Sequence, residues 1–381
     1  MTKELRSRTV VAGVGLFGLG ECRGFSHMEI MGQAIRRALE DAGIGLKDVD
    51  GLFTTGMQNL LPALSTGEYL HLNPTYTDAT NFGGSAFVAY LQSATAAIEA
   101  GLCKVALICY GSNQRSAAGK LVSPVEPAPY EAPYGPRNPI TAYALATARH
   151  MHRYGTTRED LASVAVAMRK WAALNPDAFT REPLSLEDVL GSRMVADPLT
   201  VRDCCLVTDG GGAVVLMSAD AARDLPKTPV YVRGFGVSHS HKSIMEMPEL
   251  TETPAVHSGR RAFSMAGLAP RDIDAVQLYD AFTINPILFM EDLGFCPKGE
   301  GGRFFADGNT LPGGSIPVNT NGGGLSCVHP GMYGVFTIIE GTQQLRGECG
   351  ERQLDKCRNI IVHGNGGVLA SQATAILSLE P

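Results

Sequence analysis

Apolar and polar residues alternate along this chain in two periods, and together they outline strands and helices in a regular order. Residues 9–15, TVVAGVG, form an apolar run with the character of a buried strand. Ser26 followed by Glu29 is a capping-box pair, and apolar Met31, Ala34, Ile35, Ala38 and Ala42 then recur at helical spacing until Gly43. A short strand is predicted at Gly51–Thr54, a helix over Ala86 to about Ala100, and a strand from Lys104 to Gly111. Two helices are predicted at Thr141–Tyr154 and, after Gly155, at Arg158–Leu174, with Pro176 ending the second. Farther on, Ala275–Leu278 reads as a short buried strand that ends at Tyr279 and Asp280. Asp280 or Thr283 is placed to cap the following helix, whose Ile287, Leu288, Met290 and Leu293 are apolar and which Gly294 can stop. A phenol and a carboxylate at a strand's carboxyl end, facing a helix start, form a common active-site layout in α/β proteins; a core tyrosine and a plain cap are the bland alternative.

The same pattern occurs twice. Ala38–Leu52, ALEDAGIGLKDVDGL, recurs about 220 residues later as Ala262–Val276, AFSMAGLAPRDIDAV, with the Ala-Gly pair and both aspartates kept. Upstream, Val10–Gly15 pairs with Tyr231–Gly236; downstream, Thr80–Gly84 pairs with Thr320–Gly324 and Lys104–Gly111 with Asn359–Gly364. The chain is therefore expected to be a duplicated α/β unit with two halves packed about a pseudo-twofold. Residues 1–112 with 196–222 would make the first half and 223–381 the second, separated by an insertion at 113–195 that opens with a Pro/Tyr-rich stretch from Pro124 to Pro139. An insertion of that size either covers a site or is a structural flap. A literal GxGxxG at Gly13, Gly15 and Gly18 does not open directly into a helix, since Gly20–Gly24 prolong the loop, so a nicotinamide site is not expected.

Composition narrows the class. The 381 residues are 44% hydrophobic, enough to bury a large core, and the net charge of -6 without a basic run argues against nucleic acid as a partner. The apolar runs are broken well short of a membrane span, and no cleavage site follows Val10–Gly20. Nine cysteines without a CxxC pair fit reduced thiols in a cytoplasm and argue against a structural zinc site.

Several motifs then carry a resemblance over essentially the whole chain: DGGGAVVLMS at 209–218, AGLAPRDIDAVQLYDAF at 266–282, NTNGGG at 319–324, His329-Pro330, and HGNGG at 363–367. The set resembles the thiolase superfamily, in particular its sterol-carrier-protein-type branch, and RDCCLVTDGG, LYDAFT, EDLGFCPKGE and FFADG are similar to the lipid-transfer-protein-type steroid side-chain aldolases. The resemblance implies the thiolase fold: a duplicated, five-layer αβαβα unit with a helical loop-domain insertion. It implies a coenzyme A thioester as substrate, with no permanently bound cofactor and no metal. It also implies a homodimer, paired through the strand that includes Val105–Cys109, and a zinc-ribbon/OB-fold partner protein.

Residue by residue, the resemblance places a thiolase's nucleophilic cysteine at the start of the helix near Ala86, yet no cysteine occurs between Cys22 and Cys103. Ser85 stands there instead, as a substitute nucleophile or as a helix N-cap. Tyr279 occupies the position of the Asn or His that helps hold the thioester oxygen, His329 matches the thiolase histidine, and His363 matches the second catalytic histidine of the sterol-carrier branch. Asp280 completes the candidate set, with Cys327 as the nearby thiol and Tyr333 as an unplaced second tyrosine. A site with bases and oxyanion donors but no cysteine suits reversible aldol cleavage, with the Tyr279 pKa tuned downward so that the phenol takes or relays a hydroxyl proton. An acetyl-CoA acetyltransferase-type acyl transfer and a silent acyl-CoA carrier are the other two readings.

Overall fold

In the computed structural model, residues 9–118 and 130–381 are described; residues 124–129 of the Pro/Tyr-rich stretch lie outside them. The first half runs β1 (Thr9–Gly20), α1 (His27–Ala42), β2 (Gly51–Thr54), α2 (Pro62–Leu70), β3 (Tyr76–Asp78), α3 (Ala86–Glu99) and β4 (Val105–Ser112). There follow α4 (Gln114–Ala118), α5 (Ile140–Tyr154), α6 (Arg158–Ala173), α7 (Leu186–Leu190) and a small hairpin of β5 (Met194–Ala196) and β6 (Leu199–Thr200), before β7 (Asp209–Ser218) returns to the sheet. The second half runs β8 (Val230–His239), α8 (Ala255–Ala266), β9 (Ala275–Leu278), α9 (Ile284–Asp292), α10 (Gly301–Ala306), α11 (Gly334–Arg346), β10 (Asn359–Gly366) and β11 (Ser371–Ser378).

The strands lie in the order β3-β2-β4-β7-β1-β8-β11-β10-β9, which reads the same from either end once the parallel bridge of Val276 to Val318 is taken as the counterpart of β3. Among the described residues, the two half-sheets pair with each other through β1 and β8, at Val10–Tyr231 and Val11–Val230. Helix α1 covers one half-sheet and α8 the other, while α3 and α11 lie between them, which gives the five layers. Both inner helices are consequently buried on nearly every face, with Phe87, Tyr90, Leu91, Val335, Phe336 and Ile338 among their core residues.

The repeated residues do the same work in each half. A Cβ on Gly13 would stand 2.3 Å from the Ala38 carbonyl oxygen, and one on Gly234 would stand 2.3 Å from that of Ala262. Gly13 and Gly15 of the GxGxxG therefore serve close contact between strand and helix. β1 stays extended through Gly20 rather than ending at residue 15, pairing with β7 along its length. Asp50 Oδ1 accepts from the backbone N–H groups of Lys104 and Val105 at 2.8 Å each, and Asp274 Oδ2 accepts from Arg358 and Asn359 at 2.7 and 2.9 Å. Each aspartate thus fixes where the neighbouring strand starts.

One expectation is corrected here. The strand containing Val105–Cys109 cannot pair with a second copy edge to edge, because β4 is bonded to β2 on one side and β7 on the other; the edge of the first half is β3. Among the described residues, no helix is long and apolar enough to cross a membrane, and no cluster of His, Cys, Asp or Glu could hold a metal ion.

Candidate active site

The carboxyl end of β9, the turn before α3, the start of α5, the loop carrying His329 and the end of β10 at Asn365 enclose a cavity of about 740 Å³. Tyr279 follows the last residue of β9 and lines it, with the ring seated on the turn that precedes α3. That seat requires Gly84, whose Cβ would fall 2.0 Å from a Tyr279 ring carbon. The Tyr279 hydroxyl lies 3.1 Å from His329 Nε2, the two rings meeting edge to face at 5.5 Å, and 3.4 Å from the Gly331 carbonyl oxygen. His329 also lines the cavity; its backbone N–H donates to the Thr208 hydroxyl, and its Nδ1 is buried with no hydrogen-bond partner among the described residues.

Electrostatics sets the protonation of this pair. Burial pushes the Tyr279 phenol well above its ordinary value, with the neighbouring Cys205 adding to it, so the phenol keeps its proton at neutral pH. The expected downward tuning is overturned, since no cation or helix N-terminus outweighs desolvation. Burial moves His329 the other way, down to about 4, so its imidazole is neutral at pH 7. A protonated phenol beside a neutral imidazole can pass a proton along without forming an isolated charge.

Asp280 is fully buried and does not cap α9. Its carboxylate accepts from the backbone N–H groups of Gly324 and Leu325 at 2.6 and 3.3 Å, at the start of the π-helical turn Gly323–Cys327 that leads to His329. Gly323 has φ +66°, and a Cβ there would sit 2.0 Å from Asp280 Oδ2, which accounts for a glycine at that place in NTNGGG. Burial pushes the Asp280 carboxyl up to about 7, against the hydrogen bonds from Gly324 and Leu325 that pull it down. Thr283 does not cap the helix either, because its hydroxyl donates to Asp203 Oδ1 at 2.9 Å.

The other candidates stand behind the wall. Ser85 occupies the cap position of α3 without making a cap bond; its hydroxyl is buried against Ser371 Oγ at 2.8 Å and the Phe82 carbonyl at 3.3 Å. His363 is fully buried between Thr374 Oγ1 and Gln372 Oε1, each at 2.9 Å, with Phe289 on its face, and does not reach the cavity. Burial holds its imidazole near 4 as well. Tyr333 packs edge-on against Tyr279 at 5.7 Å and donates its hydroxyl to Asn321, away from the cavity. Cys327 is buried beneath Asn175, also outside it.

The thiol that does line the cavity is Cys205, in the RDCCLVTDGG stretch, where burial raises it well above the ordinary thiol range. Tyr143 of α5 and Asn365 also line it, as do His239, His241 and Lys242 from the end of β8 and the loop after it. Cys205 and Asn365 lay within recognised motifs, but periodicity gave no signal for Tyr143, because helical spacing does not tell which face meets a distant loop.

These two half-sheets around paired inner helices, with a cavity at the carboxyl end of β9, define a class, and comparison with known proteins identifies it. Residues 236–379 match the family described as Thiolase C-terminal domain-like. The chain is 36% identical over 385 residues to an acetyl-CoA acetyltransferase of Methanothermobacter thermautotrophicus, covering 97% of this chain and 98% of that one. The chain belongs to the thiolase superfamily.

Within the superfamily it resembles the sterol-carrier-protein-type branch and its steroid side-chain aldolases. It is 34% identical over 364 residues to a 17-hydroxy-3-oxo-4-pregnene-20-carboxyl-CoA lyase of Mycobacterium tuberculosis, covering 90% of this chain and 92% of the relative. A solved Ltp2-ChsH2(DUF35) aldolase superposes with a TM-score of 0.89 at 33% identity, covering 97% of each chain.

Proposed function

We propose that this protein is a lyase that breaks a carbon–carbon bond of a β-hydroxyacyl-CoA by retro-aldol cleavage, with the coenzyme A thioester as substrate and no cysteine nucleophile. The observation that carries the reading is the contact of the Tyr279 hydroxyl with His329 Nε2 on the cavity wall, while the hydroxyl at the start of α3 is buried on Ser371. In the tautomer protonated at Nδ1, His329 Nε2 accepts the phenol proton as Tyr279 accepts the proton of the substrate hydroxyl. The hydroxyl oxygen becomes a carbonyl, the bonding pair passes to the α-carbon, and the thioester becomes an enolate. The proton held by His329 then returns through Tyr279 to the α-carbon, so no net proton is gained or lost. Asp280 acts at one remove, by fixing the turn that carries His329, and His363 and Ser85 support the wall. The relatives named as a lyase and an aldolase support this chemistry and a steroid or lipid side chain as the substrate class.

The test is release of an aldehyde or ketone from a panel of β-hydroxyacyl-CoAs without added coenzyme A, followed by mass spectrometry. Turnover that requires free coenzyme A and yields a shortened acyl-CoA would replace this reading with acyl transfer. That second reading is favoured by the acetyl-CoA acetyltransferase relative and by Cys205 on the cavity wall, and it calls for an acyl adduct on Cys205 in intact-mass measurement.

The protein acts as a homodimer in the cytoplasm, and β3, the edge of the first half, is the place for the pairing. It also works with a small zinc-ribbon/OB-fold partner, a proposal supported by the solved neighbour that joins Ltp2 to ChsH2(DUF35).

A further inference from the structure

Tyr143, near the start of α5, brings a second phenol to the cavity. Its ring stacks on Phe282 at 4.3 Å, and two of the neighbours of its hydroxyl, Asn365 and Gly367, line the cavity with it. Asn365 Nδ2 donates to the Tyr143 oxygen at 2.8 Å. The oxygen of that amide accepts from Gln372 Nε2 at 2.8 Å. The Gln372 oxygen in turn accepts from His363 Nε2 at 2.9 Å, which fixes the proton of that neutral imidazole on Nε2. His363 Nδ1 then accepts from the Thr374 hydroxyl at 2.9 Å, and Ser258 donates to Thr374 at 2.8 Å. Every donor in the row points toward the cavity, and every member of it is buried.

No member of the row accepts the Tyr143 hydrogen. The Gly367 carbonyl lies 3.4 Å from the Tyr143 hydroxyl, beyond the usual O–H···O range of about 2.5–3.0 Å, and Asn285 and Leu369 stand beside the same hydroxyl. Burial pushes the phenol up to about 12, so it gives a hydrogen bond and keeps its proton. A donor held rigidly in a cavity wall before substrate arrives is what a developing oxyanion requires, because no reorganisation is spent during the reaction.

We propose that Tyr143 donates the hydrogen bond that holds the thioester oxygen as it becomes an enolate oxygen, and that His363 acts as a positioning residue for it through Gln372 and Asn365. The proposal rests on the carbon–carbon chemistry proposed above, in which Tyr279 and His329 move the proton. In the reverse half-reaction the α-carbon of an acyl-CoA gives its proton to His329 by way of Tyr279. The C–H pair becomes the enolate double bond, and the carbonyl π pair moves onto the oxygen held by Tyr143. In heavy water a deuteron returns to carbon and marks the event.

The experiment follows α-hydrogen exchange of short straight-chain acyl-CoAs, acetyl-CoA first, in heavy water by NMR with the full chain. Tyr143→Phe keeps the ring on Phe282 and is expected to slow exchange by about 10²–10³-fold, the usual effect of removing one oxyanion donor. Asn365→Asp is the second variant, decisive also where Tyr143→Phe does not fold. A carboxylate there accepts the Tyr143 proton instead of donating to its oxygen, so exchange should fall although the polar contact is kept. His363→Gln should lower kcat with little change in KM, as a displaced donor does and a merely structural loss does not. Exchange in Tyr143→Phe or Asn365→Asp within a few-fold of the unmodified chain would overturn the assignment of Tyr143 alone. Absence of exchange in the unmodified chain, with acyl-CoA bound, would overturn the carbon–carbon chemistry and this assignment with it.

Discussion

Replacing Tyr279 by phenylalanine isolates one hydroxyl. The ring would stay seated on Gly84 and edge-on to His329 and Tyr333, so the packing that holds β9 to the turn before α3 is kept. What is lost is the contact to His329 Nε2 at 3.1 Å and the long one to Gly331 at 3.4 Å. A hydrogen bond of this kind contributes about 0.5–1.5 kcal/mol net, and a buried nitrogen left without a partner costs about 1–3 kcal/mol. His329 would then have both ring nitrogens unpaired, since Nδ1 already is. Stability should therefore fall by about 1–3 kcal/mol. The effect on rate is larger. Loss of a proton-transfer group costs about 10²–10⁴-fold, equivalent to about 3–5 kcal/mol of transition-state stabilisation. The assay is carbonyl release from a β-hydroxyacyl-CoA at saturating substrate, with acyl-CoA binding and a denaturation curve measured on the same preparation. Near-normal turnover by a folded Tyr279→Phe chain would show that the phenol is only packing, and the relay would be withdrawn.

Other outcomes follow from the same geometry. Ser85→Ala should leave turnover within a few-fold and lower stability by about 1 kcal/mol through the lost bond to Ser371; abolished turnover, with disappearance of an acyl adduct, would make Ser85 a nucleophile instead. Gly84→Ala drives a methyl to 2.0 Å from the Tyr279 ring, so turnover should fall as in Tyr279→Phe, with about 1–3 kcal/mol of overpacking in denaturation; unchanged kinetics would mean that ring position is not critical. Asp280→Asn tests a buried carboxyl whose pKa is raised to about 7 in the folded chain from about 4 unfolded. The folded state then binds more protons than the unfolded one between those values, so this group's contribution is fully present below about pH 4 and lost as pH rises through 7. The variant should gain stability relative to the unmodified protein between pH 5 and pH 8, and a pH-independent difference would count against the raised pKa. For His329, lowered to about 4, activity should fall only as pH drops through that value, and a limb near 6.5 in kcat/KM would contradict its burial.

The sequence by itself determined the duplicated architecture, and the reason is local. The glycines of β1 and β8 are dictated by helices that follow each strand closely in the chain, and the repeated aspartates tie turns to adjacent strands. Such short-range demands leave the same residues in both halves, so the repeat, the capping box at Ser26 and the strand ending at Tyr279 were legible as patterns. Side-chain direction was decided only by tertiary structure. The HGNGG motif marks a site, but a strand paired on both sides turns His363 into the core, and it is Asn365, Gly366 and Gly367 that reach the cavity. Asp280 looked like a cap for the helix that follows it, yet its carboxylate takes the backbone donors of the π-helical turn some forty residues later. The expected fall in the Tyr279 pKa became a rise because desolvation depends on what is packed around a group from remote parts of the chain, and no neighbour in sequence reports it. Tyr143 was invisible for the same reason: a helix in the insertion meets β10 only when the halves and the insertion fold together.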